Sequence, residues 1–275
     1  MRKTGKGKTA VVTGATSGIG LAIAELFAKN GYKVYSLSRR ADETAEAQGF
    51  ESGGSIEYRK CDVSDENSIR RAFSVIKRID VMVHAAGYGI AGSLEMVSNE
   101  QAHAQFETNF FGVLNVNRAA LPIMRAQGFG TVIITGSVTG VYPIPFQGHY
   151  SASKFALEGY AGALRLELRK FNIRVSLVEP GDVRTGFTAA RVPCESEDSP
   201  YYDICCRSVA KMANDEQNGL TPESVAKLYY KIASKKNPAP TYVTAFSYKF
   251  LVFLKRLFSA RFMYRVLGSM YLPKA

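Results

Sequence analysis

The chain has 275 residues, of which 46% are hydrophobic and 21% are charged. This composition is ordinary for one folded globular domain and excludes a disordered chain. The formal net charge is +11, and the basic excess lies in residues 224–275, which hold ten Lys or Arg residues and no Asp or Glu, so the rest of the chain is nearly neutral.

Apolar runs rich in β-branched residues alternate with stretches of helical period, a pattern typical of βαβ units around a parallel sheet. Strands are predicted at residues 9–13, 33–37, 56–60, 81–84, 131–135, 175–177 and 241–245. Helices are predicted at residues 19–29, 65–77, 102–127, 150–171 and 222–234. The sequence therefore predicts a single α/β domain over residues 1–245, with residues 186–221 as a loop or lid over a site.

A glycine-rich turn, TGATSGIG at residues 13–20, joins the first strand to the first helix. Its three glycines stand where the backbone turns tightly and opens a helix whose free amide groups can bind a phosphate. A turn of this kind can also serve packing alone, but its place after the first strand favours a dinucleotide site. The predicted cofactor contacts in this turn are Gly14, Thr16, Ser17, Gly18, Ile19 and Gly20.

The second strand ends in SLSRR, and no acidic residue follows before Asp42. Dinucleotide-binding proteins select NAD with an acid at this place and NADP with a base. Arg39 can donate two hydrogen bonds to a phosphate, and the Ser17 hydroxyl can add another. We therefore predict NADP(H) rather than NAD(H); the alternative is that Arg39 and Arg40 are solvated surface charges.

Two short motifs follow the third and fourth strands. Asp62 and Val63 stand in CDVSD, and Ala85, Ala86 and Gly87 stand in VHAAG. Asp62 can accept a hydrogen bond from an adenine amino group, although an acid after a strand is also a common helix cap. The other four residues are predicted to line the adenosine channel.

Tyr150 lies four residues before Lys154, at the end of a run from 126 to 153 that contains no Asp, Glu, Lys or Arg. Residues four apart lie on one face of a helix. Lowering the tyrosine pKa by about three units needs about 4 kcal/mol, which one cation about 4 Å away supplies at an effective dielectric of roughly 20. Neutral surroundings leave the field of Lys154 directed at the phenol, so the pair predicts an acid–base catalyst.

Two further polar residues stand near the predicted site. Ser137 follows the fifth strand in IITGSVTG, and Asn109 lies within a predicted helix in ETNFFG. A serine hydroxyl there can donate to a substrate carbonyl oxygen. Asparagine is a poor helix former, so Asn109 is predicted to bind backbone or water and to feed a proton path. Ordinary capping or core hydrogen bonds are the alternative for both.

Together these motifs resemble the short-chain dehydrogenase/reductase family. The resemblance rests on TGATSGIG at 13–20, CDV at 61–63, AAG at 85–87, Asn109, Ser137, YSASK at 150–154 and PGDVRT at 180–185. It implies a Rossmann-like doubly wound parallel sheet and a catalytic tetrad of Asn109, Ser137, Tyr150 and Lys154. In the family the tyrosine is the general acid or base, the lysine lowers its pKa and holds the nicotinamide ribose, and the serine positions the carbonyl.

The resemblance also implies a homodimer or homotetramer, formed through the helices predicted at 102–127 and 150–171. The family usually has NNAG where this chain has His84 followed by AAG. We therefore expect a sheet-stabilising asparagine hydrogen bond to be missing, without loss of catalysis. The residues expected at the nicotinamide end of the cofactor are Tyr150, Lys154, Pro180, Gly181, Val183 and Thr185.

We predict an NADP(H)-dependent oxidoreductase that interconverts a ketone and a secondary alcohol. The segment before Tyr150 resembles 17-beta-hydroxysteroid dehydrogenases and lipid or retinoid reductases, so an apolar, steroid-, retinoid- or lipid-like substrate is expected. A 3-oxoacyl-carrier reductase and a nucleotide-binding regulatory protein without turnover are the alternatives. The predicted substrate wall, whose members could equally belong to the core, consists of Val141, Tyr142, Phe146, His149 and Phe187.

No sequence typical of a metalloprotease, a serine hydrolase or a P-loop protein occurs. The three histidines are scattered and the four cysteines form no CxxC pair, so no metal site or disulfide is predicted. The apolar run after the basic N-terminus is too short for a signal peptide, and glycines and prolines in the run from 126 break a spanning helix. A cytoplasmic protein is therefore expected.

Residues 246–275 are both basic and apolar. Lys and Arg residues alternate there with apolar residues of helical spacing: Phe250, Leu251, Leu254, Leu257 and Phe258. The pattern predicts an amphipathic helical extension, which could make peripheral contact with a membrane or pack against its own domain or a dimer partner. Nucleic-acid binding is not expected, because no aromatic stacking platform accompanies the charges.

Overall fold

The structure is a computed structural model that describes residues 5–193, 195–255 and 257–272. Its strands are β1 Thr9–Thr13, β2 Lys33–Ser38, β3 Gln48–Gly49, β4 Ser55–Lys60, β5 Val81–His84, β6 Ile90–Ala91, β7 Gly130–Thr135, β8 Ile173–Glu179, β9 Val192–Pro193 and β10 Thr241–Val243. Its helices are α1 Gly18–Lys29, α2 Glu66–Phe73, α3 Asn99–Phe106, α4 Gly112–Gln127, α5 Gly148–Glu167, α6 Tyr202–Gln217, α7 Pro222–Ala233, α8 Phe246–Leu254 and α9 Ala260–Tyr271.

Eight strands form one sheet in the order β10-β8-β7-β5-β1-β2-β4-β3. Neighbouring strands run parallel except for the short pair β3 and β4. From β1 the chain builds one half of the sheet through β2 and β4, and then the other half through β5, β7 and β8. The predicted doubly wound parallel sheet is confirmed, and β6 and β9 form a small sheet of their own.

Helices cover both faces of the sheet, and each face has its own hydrophobic core. Val11 of β1 packs with residues of α2, α4 and α5, whereas its neighbours Ala10 and Val12 pack with residues of α1 and α7. This alternation follows from the two-residue period of a strand. Because both faces are buried, the strands appear in the sequence as continuous apolar runs.

The long segment 186–221 differs from its prediction as a loop, because it contains the helix α6. The side of α6 that is buried against the domain carries Cys205, Ser208 and Met212, at spacings of three and four residues. Only three positions are buried and one of them is a serine, so the helical period was too weak to find in the sequence.

The helix predicted at 102–127 begins earlier and is not regular. Ser98 and Gln101 form a capping box at the start of α3, and a π-helical turn, Glu107–Phe111, separates α3 from α4. A π turn has hydrogen bonds between residues five apart and commonly marks a functional position. Asn109 lies in this turn.

A chain of hydrogen bonds joins β5 to two helices. His84 Nε2 lies 2.9 Å from Asn117 Oδ1 on α4, and the Asn117 amide donates to the Tyr160 hydroxyl on α5 at 3.0 Å. A side-chain hydrogen bond is therefore present where the sequence predicted the loss of one, although it links the sheet to a helix. Burial lowers the pKa of His84 to about 4, against the opposing effect of the bond to Asn117.

The C-terminal helices pack against the domain. Met263 and Leu267 of α9 are buried with Tyr142, and Leu251 of α8 packs beside them. One side of the predicted amphipathic extension is thus occupied by its own domain. In the part of the chain that the structure describes, no helix is long and apolar enough to cross a membrane.

Acid should destabilise the protein through His84. The folded pKa of about 4 lies below the unfolded value near 6.5, so the unfolded chain binds a proton first as the pH falls. Stability should decrease between about pH 6.5 and about pH 4, by roughly 3 kcal/mol. Urea unfolding across this range measures the loss. His84→Asn keeps a hydrogen-bonding group but cannot titrate, so its free energy of unfolding should fall by roughly 3 kcal/mol less over the same pH range. Equal losses in the two proteins would contradict the assignment of this acid sensitivity to His84.

Candidate active site

The carboxyl ends of the central parallel strands open into one continuous cleft of about 1780 Å³. The strand order reverses between β1 and β5, and in doubly wound folds ligands bind outside the strand ends at such a point. All of the residues that the sequence analysis predicted to contact the cofactor line this cleft.

The turn between β1 and α1 depends on its glycines. Gly14 has a φ of 67°, which L side chains rarely adopt, and a Cβ on it would lie 2.8 Å from the backbone of Ala86. A Cβ on Gly20 would clash with the carbonyl oxygen of Gly14. Ser17, at the N-cap of α1, makes no side-chain capping bond, so the first amide groups of α1 can bind a phosphate.

The end of β2 presents two exposed arginines to the cleft, Arg39 and Arg40. Arg40 donates to the Ser17 hydroxyl at 3.3 Å, and the hydroxyls of Thr16 and Ser38 are 2.8 Å apart. Of these residues, only Arg39 was predicted from the sequence as a site residue, and Arg40 and Ser38 were not. In the sequence, only their position next to Arg39 in SLSRR points to them. Their contacts with the glycine turn form only in the folded chain and leave no local pattern.

Local hydrogen bonds fix the part of the cleft that the sequence predicts to bind adenosine. Asp62 accepts from the amide and the hydroxyl of Ser64 at 3.0 and 2.6 Å. The amides of Ala85 and Ala86 donate to the Thr13 hydroxyl at 3.1 and 3.2 Å. The segment after β5 is therefore tied to the end of β1, beside the glycine turn.

Tyr150 and Lys154 lie near the start of α5 and are 9% and 5% exposed. Lys154 Nζ lies 5.6 Å from the centroid of the Tyr150 ring and donates to the Thr135 carbonyl oxygen at 3.0 Å. Ser137 lines the same part of the cleft at the start of a short 3-10 turn, Val138–Gly140. The structure brings these three predicted residues together.

Burial determines the pKa values of this group. It raises the pKa of Tyr150 to about 12, although a hydrogen bond with Ser137 acts in the opposite direction. It lowers the pKa of Lys154 to about 8. The sequence predicted a lowered tyrosine pKa, and that direction is wrong for these side chains, because loss of hydration on burial outweighs the hydrogen bond with Ser137.

Asn109 is buried behind the cleft rather than in its lining. Its side chain accepts from the Tyr88 amide at 3.1 Å and donates to the Tyr88 carbonyl at 3.0 Å and the Ser153 hydroxyl at 3.2 Å. A Cβ on Gly87 would lie 3.1 Å from Asn109 Oδ1 and 3.8 Å from Lys154 Nζ. Asn109 thus fixes the wall beside Lys154.

Only two of the five residues predicted to form the substrate wall line the cleft, Tyr142 and Phe187. The Phe187 ring lies 5.6 Å from the Tyr150 ring, centroid to centroid. Val141, Phe146 and His149 are not part of the lining. Each is close in sequence to a lining residue, but successive side chains point in different directions, and Val141 packs against the C-terminal helices instead.

The C-terminal helices and α6 complete the apolar part of the cleft, which the sequence analysis missed. These lining residues are Met212 of α6, Leu251 of α8, and Leu267, Met270 and Tyr271 of α9. The extension is therefore a wall of the cleft as well as a surface element. No local sequence pattern indicates this contact.

Two hydrogen bonds hold α8 at the cleft. The Tyr248 hydroxyl donates to the Asp182 carboxylate, and the Tyr248 ring lies so close to Gly181 that a Cβ there would clash with it. The Tyr142 hydroxyl donates to the Leu251 carbonyl oxygen at 2.9 Å. The segment PGDVRT, predicted to contact nicotinamide, thus also anchors the extension.

A buried ion pair holds the segment between β8 and α6 over Tyr150. Arg191 and Glu216 form a salt bridge with side chains 3% and 14% exposed, and the Thr188 hydroxyl donates to the same carboxylate. The Arg191 guanidinium lies 5.8 Å from the centroid of Phe187, the ring that covers Tyr150. The ion pair therefore connects α6 to the cover of the phenol.

No cluster of three or more His, Cys, Asp or Glu suited to a metal ion occurs in the described ranges. Cys61 and Cys206 are free thiols. Cys194 lies outside the described residues.

The cleft fits a nicotinamide dinucleotide along its length. Arg39 and Arg40, the start of α1, and Tyr150 with Lys154 all line this one cleft. Cationic groups and helix amides are the donors that bind phosphate. These residues would hold the two phosphates and the ribose groups of the cofactor.

Comparison with known proteins agrees with this geometry. Residues 8–195 match the model of the short chain dehydrogenase family. The chain is 40% identical over 234 residues to 3-ketodihydrosphingosine reductase of Bacteroides thetaiotaomicron, covering 83% of this chain and 84% of that protein. It is 32% identical over 281 residues to retinol dehydrogenase 8 of Homo sapiens, covering 96% and 88%.

A solved structure also matches the fold. The short chain dehydrogenase/reductase of Burkholderia phymatum in complex with NAD is 25% identical, with a TM-score of 0.78, and the match covers 92% of this chain and 94% of that one. The structural match therefore covers most of the chain.

Removing Glu216 should loosen the cover over Tyr150. Glu216→Ala leaves Arg191 buried without its partner, which costs about 3–5 kcal/mol. We expect a lower melting temperature and faster limited proteolysis between residues 186 and 201. Glu25→Ala is the matched control, because it removes an exposed pair with Lys29 worth less than about 1 kcal/mol. Equal behaviour of the two variants would contradict a structural role for the buried pair.

Proposed function

Because the chain belongs to the short-chain dehydrogenase family of oxidoreductases, we propose that it interconverts a ketone and a secondary alcohol with NADP(H), on an apolar, lipid-like substrate. One observation carries the proposal. A single cleft runs from the arginines after β2, past Tyr150 and Lys154, to an apolar wall built by the C-terminal helices. This arrangement suits a nucleotide at one end and an apolar substrate at the other.

Tyr150 has the protonation state that a ketone reductase needs. With a pKa of about 12 the phenol keeps its proton at neutral pH, so it can donate to the oxygen of a carbonyl group beside Ser137. Lys154 is charged below its pKa of about 8 and lies close enough to stabilise the phenolate that remains. The nucleotide, when bound, supplies the hydride.

The residues after β2 support NADP over NAD. Arg39 and Arg40 both line the cleft, and Arg40 reaches the Ser17 hydroxyl at the glycine turn. Asp42 is the first acid after the strand, and its carboxylate accepts hydrogen bonds from the amide and the hydroxyl of Thr44. A ribose phosphate would find two guanidinium groups here, whereas a bare ribose hydroxyl would find no acceptor of comparable strength.

The cofactor choice can be tested with the two arginines. Arg39→Ala combined with Arg40→Ala should raise KM for NADPH by about tenfold to hundredfold, because charged hydrogen bonds to the phosphate are lost, and should leave KM for NADH nearly unchanged. Michaelis constants for both nucleotides measure this. Arg70→Ala combined with Arg71→Ala removes two exposed arginines of α2 and controls for net charge. A wild-type preference for NADH would contradict the proposal.

The apolar wall supports a long or flat ketone. Tyr142, Phe187, Met212 and Leu251 line the same cleft as Tyr150, the Phe187 ring lies 5.6 Å from the Tyr150 ring, and such pockets bind apolar ligands. The names of two relatives, a 3-ketodihydrosphingosine reductase and a retinol dehydrogenase, describe long apolar substrates. We therefore propose a long-chain keto lipid as the substrate class, with a 3-keto sphingoid base as the first compound to test.

A substrate panel tests both the chemistry and the substrate class. NADPH oxidation should be seen with long-chain 3-keto bases or steroid ketones, and not with small polar ketones. Tyr150→Phe should lower turnover by about 10²–10⁴-fold, because the proton donor is lost, while nucleotide binding is kept. Tyr160→Phe, on the same helix but outside the cleft, should stay active. Full turnover by Tyr150→Phe, or activity confined to small polar ketones, would refute the proposal.

A further inference from the structure

The outer side of α8 is an exposed apolar stripe. Phe246, Phe250, Phe253 and Leu257 follow one another at spacings of four, three and four residues, which places them on one side of the helix and its continuation. They are 83%, 55%, 53% and 62% exposed. The packing of the domain does not account for this stripe, because the opposite side of α8 makes the contacts with the domain.

Residues of α9 and the turn before it extend the apolar surface. Phe258, Phe262, Tyr264 and Met270 are between 41% and 58% exposed, and the rings of Phe258 and Phe262 stack with centroids 4.7 Å apart. More than half of the exposed large hydrophobic residues in the described ranges fall within 246–272. A concentration of this kind marks an interaction surface.

The same surface is positively charged. Lys249, Arg261 and Arg265 are exposed beside the apolar residues, and residues 224–275 contain no Asp or Glu. Exposed aromatic side chains flanked by cations are the composition of helices that lie at a lipid interface. A second copy of the chain is a poorer occupant, since a two-fold contact would bring these cations against each other.

The cleft reaches this surface. Met270 lines the cleft and is also 41% exposed, and Leu251 lines it from the inner side of α8. An apolar compound that leaves a lipid layer at α9 would therefore meet the apolar wall without crossing water.

We propose that the outer surface of α8 and α9 docks on an anionic lipid bilayer and places the mouth of the cleft at the membrane. The evidence for docking is the set of exposed apolar and basic residues on α8 and α9, and it does not depend on the proposed function. The entry of a lipid substrate from the bilayer rests on the proposed function.

Flotation of the full chain with vesicles tests the docking. Wild type should float with vesicles of phosphatidylcholine and phosphatidylglycerol, and less with phosphatidylcholine alone. Phe246→Ser, Phe250→Ser and Phe253→Ser combined should lower the partition coefficient at least about tenfold, because apolar burial is lost. Lys249→Glu with Arg261→Glu should abolish the preference for anionic vesicles. The matched control is Val75→Ser with Leu166→Ser, exposed apolar residues elsewhere, which should float like wild type.

Each alternative outcome is decisive. Absence of wild-type flotation, or equal flotation of the triple Phe variant, overturns the docking. If light scattering without vesicles shows that the triple variant loses a dimer present in wild type, the surface is an interface between copies instead. Flotation needs no turnover, so flotation without activity on any ketone would leave the docking intact and refute only the proposed function.

Discussion

The burial of the Lys154 ammonium is the constraint on which the active site depends. The group is 5% exposed, its hydrogen bond goes to the carbonyl oxygen of Thr135, and no salt bridge among the described residues includes it. A buried charge without a counter-ion is costly, which is why its pKa falls to about 8. The uncharged run from 126 to 153 forms β7, the turn after it and the start of α5, so the sequence keeps acids away from this cation.

The two ends of the cleft are held by different kinds of interaction. Backbone geometry fixes the end at the glycine turn, where a Cβ on Gly14 would clash with the backbone of Ala86. Side-chain pairs fix the apolar end, through Arg191 with Glu216 and Tyr248 with Asp182. Changes in α6, α8 and α9 can therefore reshape the apolar wall while Tyr150, Lys154 and the glycine turn keep their places.

Much of the fold could be predicted because its signals are local. The β-branched runs, the glycine turn and the motif order predicted the parallel sheet, and both the fold and the family are confirmed. The roles of the predicted catalytic residues stay predictions, although Ser137, Tyr150 and Lys154 meet in one place. The apolar lining was predicted only in part, because Met212, Leu251 and Tyr271 reach the cleft from segments far along the chain. The raised pKa of Tyr150 was also missed, since burial is a property of the folded structure.

The π-helical turn Glu107–Phe111 determines which side of the long helix meets β5. Gln105 before it donates to the Tyr88 carbonyl, and Asn117 after it bonds to His84. On an unbroken α-helix these two side chains would point about 120° apart, and the wider turn compensates for part of that rotation. Without one residue here the helix would be regular, and eleven steps of 100° would still place Asn117 within about 20° of the direction of Gln105; what the π turn adds is therefore the widened backbone that carries Asn109.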